Sequence, residues 1–441
     1  MFKNFINALK VKEIRNKILI TILLVVIYRL GCWIPCPGLT PDGFSNIVNA
    51  EGADFFQLLS SVSGGALANG AILALGISPY ISASIIIQLL TIAIPSLERL
   101  SKMGDEGKKR IAFYTKIAAL ALAIAQAIAI VISFKGVLKE YTLGYGFELP
   151  TWIVGTIVTL ILIAGSMFTY WIGEKITEVG ITNGQSILIF VGILSTAATS
   201  LLGTIKDLFT DNWKSSLTGI LVFLIALVLI FGFIVWIDGS ERRIPVQYAK
   251  QIKGRKMYGG QSTYIPIRVN STGVMPIIFA MSLLTFPQLL ISIFTDPAES
   301  KFYTWYSKWL GTGSWLYIIL VGLLITFFAY FWAQVTFNPE DVSKNIQQNG
   351  GFVQGIRPGK QTADYLKKIS NRITLFGAIF LSIIAIIPSL LFKYIGQIIG
   401  GTGLVNAFSA TGLLIVVSVA IEFDKSLEAQ MLMKNYKGFL K

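Results

Sequence analysis

Ala71-Ile72-Leu73-Ala74-Leu75-Gly76-Ile77-Ser78-Pro79-Tyr80-Ile81-Ser82-Ala83-Ser84-Ile85-Ile86-Ile87-Gln88-Leu89-Leu90-Thr91-Ile92-Ala93-Ile94-Pro95 runs for twenty-five positions without a charged side chain. About 20 mostly apolar residues suffice for a helix to cross a hydrocarbon core about 30 Å thick, so this stretch is read as a membrane span. The whole chain has the same character. Of 441 residues, 54% are hydrophobic and only 14% charged, where soluble proteins carry about 25% charged residues. The mean hydropathy is +0.68. Such a chain has too little polar surface to cover a globule in water.

The same ruler gives ten expected spans: 18–35, 71–95, 117–134, 152–171, 186–202, 217–237, 273–294, 315–337, 374–392 and 403–421. The expected class is an all-α polytopic membrane protein. The first span is not expected to be a cleaved signal, because it runs through Tyr28-Arg29-Leu30-Gly31 into a Pro-rich turn without a small-residue cleavage site. Basic residues test the count, since Lys and Arg collect on the cytoplasmic side. With the N-terminus inside, 29 of the 37 Lys and Arg residues fall in inner segments and 7 in outer ones, leaving Arg29 within the first span. The net charge of +14 therefore sits on one membrane face, with both termini expected in the cytoplasm. It is not read as a DNA-binding surface.

Composition also excludes chemistry. The chain has no histidine, which removes Ser-His-Asp and Cys-His nucleophilic sites and His-ligated metals. No Walker-type Gly-rich loop is present, and no cofactor is expected. Cys32 and Cys36 are too few for a disulfide scaffold; they read as apolar filler or, at most, as a single disulfide on the outer side. No span carries a buried Asp or Glu, and Arg29 lies close enough to a span end to snorkel toward the interface. Proton-coupled transport and intramembrane aspartyl proteolysis lack their central residue.

Four features remain. Phe55-Phe56-Gln57-Leu58-Leu59 is half a span long and bracketed by Gly52 and by Gly64-Gly65; it reads either as a surface loop helix or as a re-entrant half-helix enclosed by protein. Gln88, Gln185, Ser186, Asn270 and Thr272 are polar residues in or at the starts of spans, either helix glue or a seam that opens. The inner loop 238–271 alternates polar and apolar residues from Glu241 to Tyr248 and has Gly-containing turns, suggesting a projecting hairpin. The inner loop 338–372 presents a tight basic turn, Gly355-Ile356-Arg357-Pro358-Gly359.

Together these segments resemble the SecY family of protein-conducting channel subunits. The resemblance rests on Tyr28-Arg29-Leu30-Gly31 with Ile34-Pro35-Cys36-Pro37-Gly38, on Ala74 through Leu90, on Trp171 through Glu178 with Asn183-Gly184, on Arg242 through Tyr264, on Gly355 through Gly359, and on Leu413 through Val417. It implies two pseudo-symmetric five-helix halves, 1–205 and 214–441, joined by a linker at 206–213 and closed around an hourglass pore. The pore ring then falls on Ile77, Ile81, Ile189, Ile278 and Ile415. A sixth position, aliphatic in the family pattern, is Gln185 here; the ring stays apolar if Gln185 turns away or if Ile187 or Leu188 takes its place. A plug at about 53–70 would include Phe55, Phe56, Leu58, Leu59, Gly64, Gly65 and Leu67.

The resemblance further implies a lateral gate at Gln88 and Asn270, between the second and seventh spans. A docking face for the SecA ATPase and the ribosome, whose RNA phosphates suit a basic turn, maps onto Arg242, Arg243, Lys250, Arg255, Lys256 and Arg357. Small subunits SecE and SecG, signal-sequence-bearing polypeptides and membrane lipid are the other implied partners, and the bacterial cytoplasmic membrane is the implied location. The expected function is passage of unfolded preproteins across the membrane and release of anchors into it, without catalysis by this chain. The reading from another class is a secondary transporter with inverted five-helix repeats; an intramembrane hydrolase has no visible constellation.

Overall fold

The computed structural model describes residues 8–39, 54–133, 141–143, 147–207, 225, 228–248, 251–253, 256–258, 262–270, 273, 275–294, 305, 309–310, 314–399 and 410–439. In chain order the elements are α1 (Lys12–Gly31), α2 (Asp54–Val62), α3 (Ser78–Ala93), α4 (Pro95–Lys102), α5 (Asp105–Ser133), β1 (Tyr141–Leu143), β2 (Phe147–Leu149), α6 (Thr151–Val179) and α7 (Gly184–Asp207). Then follow β3 (Glu241–Tyr248), β4 (Gln251–Lys253), β5 (Lys256–Tyr258), β6 (Ser262–Arg268), α8 (Met275–Phe294), α9 (Trp315–Thr336), α10 (Pro339–Gln348), β7 (Gly351–Val353), α11 (Lys360–Ile399) and α12 (Ala410–Phe439). Among the described residues, α5, α6, α9 and α11 contain helices long and apolar enough to cross a membrane, and α3 with α4 makes a fifth if the bent pair is one span. Shorter apolar helices run over Gly184–Thr199 and Val228–Asp238. Residues 208–213 of the expected linker, and parts of the spans 217–237 and 403–421, lie outside the described residues.

The 29 residues of α6 extend about 43 Å at 1.5 Å per residue, more than a hydrocarbon core. Large apolar side chains point outward along it: Trp152, Ile157, Leu160 and Phe168 are exposed, Leu160 at 62%, and Leu323 of α9 is 65% exposed. Apolar exposure repeated from helix to helix is what a lipid-facing surface needs and what water would not tolerate.

The second expected span is redrawn. Helix begins only at Ser78, with Pro79 in its first turn, where proline's missing N–H costs nothing. Ala71 bridges Pro35 and residues 72–77 are turns, not helix, with Gly70 at φ 59° and Gly76 at φ 54°. Hydropathy alone cannot separate an apolar helix from an apolar irregular segment, and Ala71, Leu73, Ala74, Leu75 and Ile77 are all buried by protein. At the other end Ile94 is extended, Pro95 opens α4, and the axes turn through 105°. Proline disfavours helix at the residue before it, so the expected end at 95 is where the span stops.

The apolar interior forms connected layers. Ile277, Phe279 and Ala280 of α8 pack with Val321, Ile325 and Phe328 of α9 and with Phe380, Leu381 and Ile384 of α11. A second layer joins Leu59 and Leu67 to Ala127 and Ile130 of α5 and to Val158 and Leu162 of α6. At one end, Ile14 and Ile18 of α1 pack on Ile181 and on Leu427 of α12.

The hairpin expected in 238–271 is present and larger than expected. Strand β3 lies between β6 and β7, both antiparallel to it, and β4 pairs with β5. Strand β7 comes from the other long loop, with Val246 opposite Val353, so both loops build one sheet. Opposite-strand pairs include Arg243 with Pro266 and Pro245 with Tyr264. The two prolines thus share one parity of the ladder, the positions that need no N–H for pairing with the neighbour. Ile244 and Val246 face inward onto Ile346 of α10 and Leu366 of α11, which is fully buried. Leu366→Ala should cost about 2–5 kcal/mol of local packing. The hairpin should then be cut faster in limited proteolysis while the helices stay membrane-inserted; an unchanged cleavage rate would contradict this account of the sheet's anchoring.

Candidate functional site

Six segments of the chain meet at one place. Ile77 precedes α3, Ile81 is in its first turn, Ile189 is in α7, Ile278 in α8 and Ile415 in α12, and all five fall in a single apolar cluster. Ile77, Ile189 and Ile415 are buried, while Ile81 and Ile278 are partly buried against them. Ile187, Leu188 and Ile193 of α7 and Ile172 and Ile176 of α6 complete the surround. Gln185, the polar exception, is half-buried. A Cβ placed on Gly173 would lie 3.5 Å from Gln185 Cγ and 3.5 Å from Ile77 Cδ1, so the glutamine stem and the isoleucine reach the same face of α6.

The short apolar run 55–59 lies in α2, and the segment that follows returns to α3 inside the protein. Leu59 and Leu67 are buried, as is Gly64, and Gly65 is half-buried. Phe56 packs on the Leu59 and Leu67 cluster; Phe55 and Leu58 lie in the helix, and their side chains are outside the described residues. The described side chains from Leu59 to Leu67 are buried or half-buried by protein. Arg29 does not snorkel: its Nη1 donates to the Gly64 carbonyl at 3.1 Å and its Nη2 donates to Ser195 Oγ of α7. The nearby Cys32 and Cys36 are free, buried thiols.

The two polar seam residues bond locally. Gln88 Nε2 donates to Ser84 Oγ of its own helix at 3.4 Å. Asn270 lies in the turn before α8 and its Nδ2 donates to Asp238 Oδ1 at 2.7 Å. Between α3 and α8 the packing is apolar, with Ile81, Ile85 and Leu89 in the cluster that holds Ile277, Ile278 and Met281. Sequence reasoning missed a polar contact elsewhere. Lys116 of α5 pairs with Glu174 of α6 at 2.7 Å and lies over the Tyr170 ring at 5.5 Å, while Tyr170 touches Tyr80 of α3 with centroids 4.6 Å apart. Their separation of 58 positions in sequence left no local signal of the pair.

The basic face is ordered. Arg242 and Arg243 are exposed on β3; Arg243 Nε donates to Glu241 Oε1 at 2.7 Å and its guanidinium sits 4.7 Å over the Tyr264 ring. The Glu241 hydrogen bond raises Arg243 above its ordinary value. Arg357 is exposed on a turn held from both sides: Ile356 N donates to Val353 O at 3.0 Å, Thr362 Oγ1 to Arg357 O at 2.8 Å and Ser343 Oγ to Gly359 O at 2.7 Å. Beside it, a groove of about 610 Å³ is lined by Asn338, Glu340, Lys344, Asp364, Lys367 and Asn371. Lys256 belongs to β5, opposite Lys253, with its side chain outside the described residues; Lys250 and Arg255 lie outside them altogether.

Comparison with known proteins gives a consistent answer. The SecY family profile matches residues 71–423. Over the full length of both chains, the sequence is 40% identical to "Protein translocase subunit SecY" of Streptomyces coelicolor across 448 residues. It is 38% identical to the protein of the same name from Mycobacterium tuberculosis across 452 residues, again covering both chains completely. The fold is similar to a solved structure of a protein-conducting channel, with TM-score 0.65 and 19% identity over 93% of this chain and 91% of the other. It is also similar to a SecY structure concerned with the plug domain, with TM-score 0.62, 18% identity and the same coverage of 93% and 91%. Sec61 in the canine ribosome-channel complex from the endoplasmic reticulum matches with TM-score 0.62 and 18% identity over 93% and 91%. With a family match over most of its length and relatives aligned from end to end, this chain belongs to the SecY family.

Proposed function

We propose that this chain is the pore-forming subunit of a protein-conducting channel, a passive conduit that lets unfolded preproteins cross the cytoplasmic membrane and releases hydrophobic segments sideways into lipid. The observation that carries the proposal is the meeting of Ile77, Ile81, Ile189, Ile278 and Ile415, from both ends of the chain, in one apolar cluster. Branched aliphatic side chains form no hydrogen bonds with ions or water, so a narrow collar of them closes by dewetting. They also contact any passing side chain weakly, which a conduit for many sequences requires. A small-solute transporter needs polar ligands at the midplane, which this cluster does not supply. Gln185 is the collar's polar member, positioned with Ile77 against Gly173.

In this reading α2 and the buried turns to residue 70 are the plug, and the halves 1–205 and 214–441 close around the pore. The lateral gate runs between α3 and α8, with Gln88 and Asn270 flanking an apolar seam that a signal helix replaces with its own apolar side chains. The basic sheet and the Arg357 turn form a cytoplasmic docking face for the SecA motor and the ribosome. Its support is the one-sided charge and the ordered turn, together with a ribosome-bound relative of the same fold. SecE and SecG complete the complex, and both termini are cytoplasmic.

In vesicles containing the complex, SecA and ATP should drive entry of a signal-bearing preprotein, and a complex competent in every component that moves none would overturn the proposal. Arg357→Glu should lower that transport by about tenfold or more, the worth of a charge-assisted contact, with channel insertion unchanged; normal transport would remove Arg357 from the docking face. Replacing Ile81 or Ile415 by Asn should raise resting ion conductance in planar bilayers or admit substrates with defective signals, and neither change would count against the collar.

A further inference from the structure

Within the proposed plug reading, on which this inference rests, one half-buried cation is left without a role. Helix α2 ends in a Schellman arrangement: Gly65 N donates to Ser60 O at 2.7 Å and Gly64 N to Ser61 O at 3.2 Å, with Gly64 at φ 71° in the left-handed C′ position. The carbonyls just beyond that end, of Ser63 and Gly64, point at one face of α1. Tyr28 OH donates to Ser63 O at 3.4 Å, Cys32 Sγ lies 3.7 Å from the same oxygen, and Arg29 Nη1 donates to Gly64 O. The other guanidinium arm donates to Ser195 of α7. A Cβ on Gly64 would overlap Arg29 Nη1 and come within 3.0 Å of Gly192 Cα, so glycine at both positions lets the helix end settle against α1 and α7.

We propose that Arg29 is the latch of the resting plug: a positioning residue whose guanidinium bridges the C-terminal end of α2 to α7 and must be released when the plug moves. The chemistry suits a releasable hold. The two arms of arginine reach acceptors on two elements at once, which a lysine ammonium does with less geometric control. The negative end of the α2 dipole favours a cation there. Among the described residues its hydrogen-bond partners are a carbonyl and a hydroxyl, not a carboxylate, so opening separates no ion pair in a low-dielectric interior.

Cys32 supplies a native reporter, because it is fully buried beside Ser63 and becomes accessible when that segment leaves. In the full complex with Cys36→Ala, labelling of Cys32 by a membrane-impermeant maleimide is followed together with resting conductance in the absence of substrate. Arg29→Gln should raise the labelling rate by about ten- to a hundredfold, the worth of a hydrogen bond to a charged group, and should raise conductance. Ser195→Ala should give a smaller rise in both. Deleting residues 56–67 should give the largest rise, and adding Arg29→Gln to that deletion should change conductance no further. Unchanged labelling in Arg29→Gln overturns the latch. An additive conductance effect on the deletion also overturns it, because Arg29 would then act elsewhere. If the deletion leaves conductance unaltered, the plug reading fails, while labelling still decides whether Arg29 holds α2. Should Arg29→Gln not accumulate, Arg29→Lys and Ser195→Ala decide: faster labelling in both is expected, and parental rates in both overturn the proposal.

Discussion

Every backbone N–H and C=O inside a hydrocarbon layer must find a partner within the protein, since leaving one bare costs several kcal/mol. The helices among the described residues meet this through their own i to i−4 hydrogen bonds. The segment from Ser63 to Ile77 is irregular, so its partners must come from elsewhere, and much of the N-terminal architecture follows from supplying them. Cys36 N donates to Gly70 O at 2.8 Å and Ile72 N to Ile34 O at 3.0 Å, so the Pro-rich turn after α1 acts as a strand-like edge for the returning chain. Ala71 N donates to Ala66 O at 2.9 Å, and the carbonyls of Ser63 and Gly64 are taken by Tyr28 and Arg29. The Tyr-Arg-Leu-Gly and Pro-Cys-Pro-Gly runs thus serve one purpose: they let non-helical backbone lie inside a membrane protein.

How much of this was legible depended on whether the signal was local. The expected span 315–337 falls on α9 within a residue, whereas α5 begins twelve residues before the expected 117 and α6 ends eight after the expected 171, because charged helical turns extend both beyond their apolar runs. Pro95 marked a real helix break, and Gly64-Gly65 marked a real helix stop, because both act through their own backbone. The start of the second span was misplaced because residues 71–77 are as apolar as the helix they precede. Their irregular path is set by contacts with α1, α6 and α7, which hydropathy does not encode. For the same reason Arg29 read as a snorkelling residue: its distance from the span end was visible, and the carbonyl 35 positions away was not.

The candidate site divides along the same line. Alternation in β3 and glycine turns gave the hairpin, whereas the joining of β7 to it links residues about 107 apart through Val246 and Val353. That pairing turns two loops into one sheet and fixes the Arg357 turn relative to Arg242 and Arg243. The isoleucine cluster had no signature of its own in a chain where isoleucine is common. Its members became candidates only through resemblance to a family, and the fold then brought them into one cluster.

A barrier that must open for many sequences cannot be built from strong specific contacts. In the function proposed above, a collar of isoleucines resists ions because water gains nothing inside it, and it closes again by apolar packing alone. Such packing is non-directional and would not hold a nine-residue helix in one orientation. Directional polar contacts to the end of α2 supply what the collar lacks, and they are placed on backbone carbonyls, where the side-chain sequence of α2 need not matter. On the proposed reading, dewetting and registration are carried by different residues of the same site, so each can be weakened by substitution without necessarily removing the other.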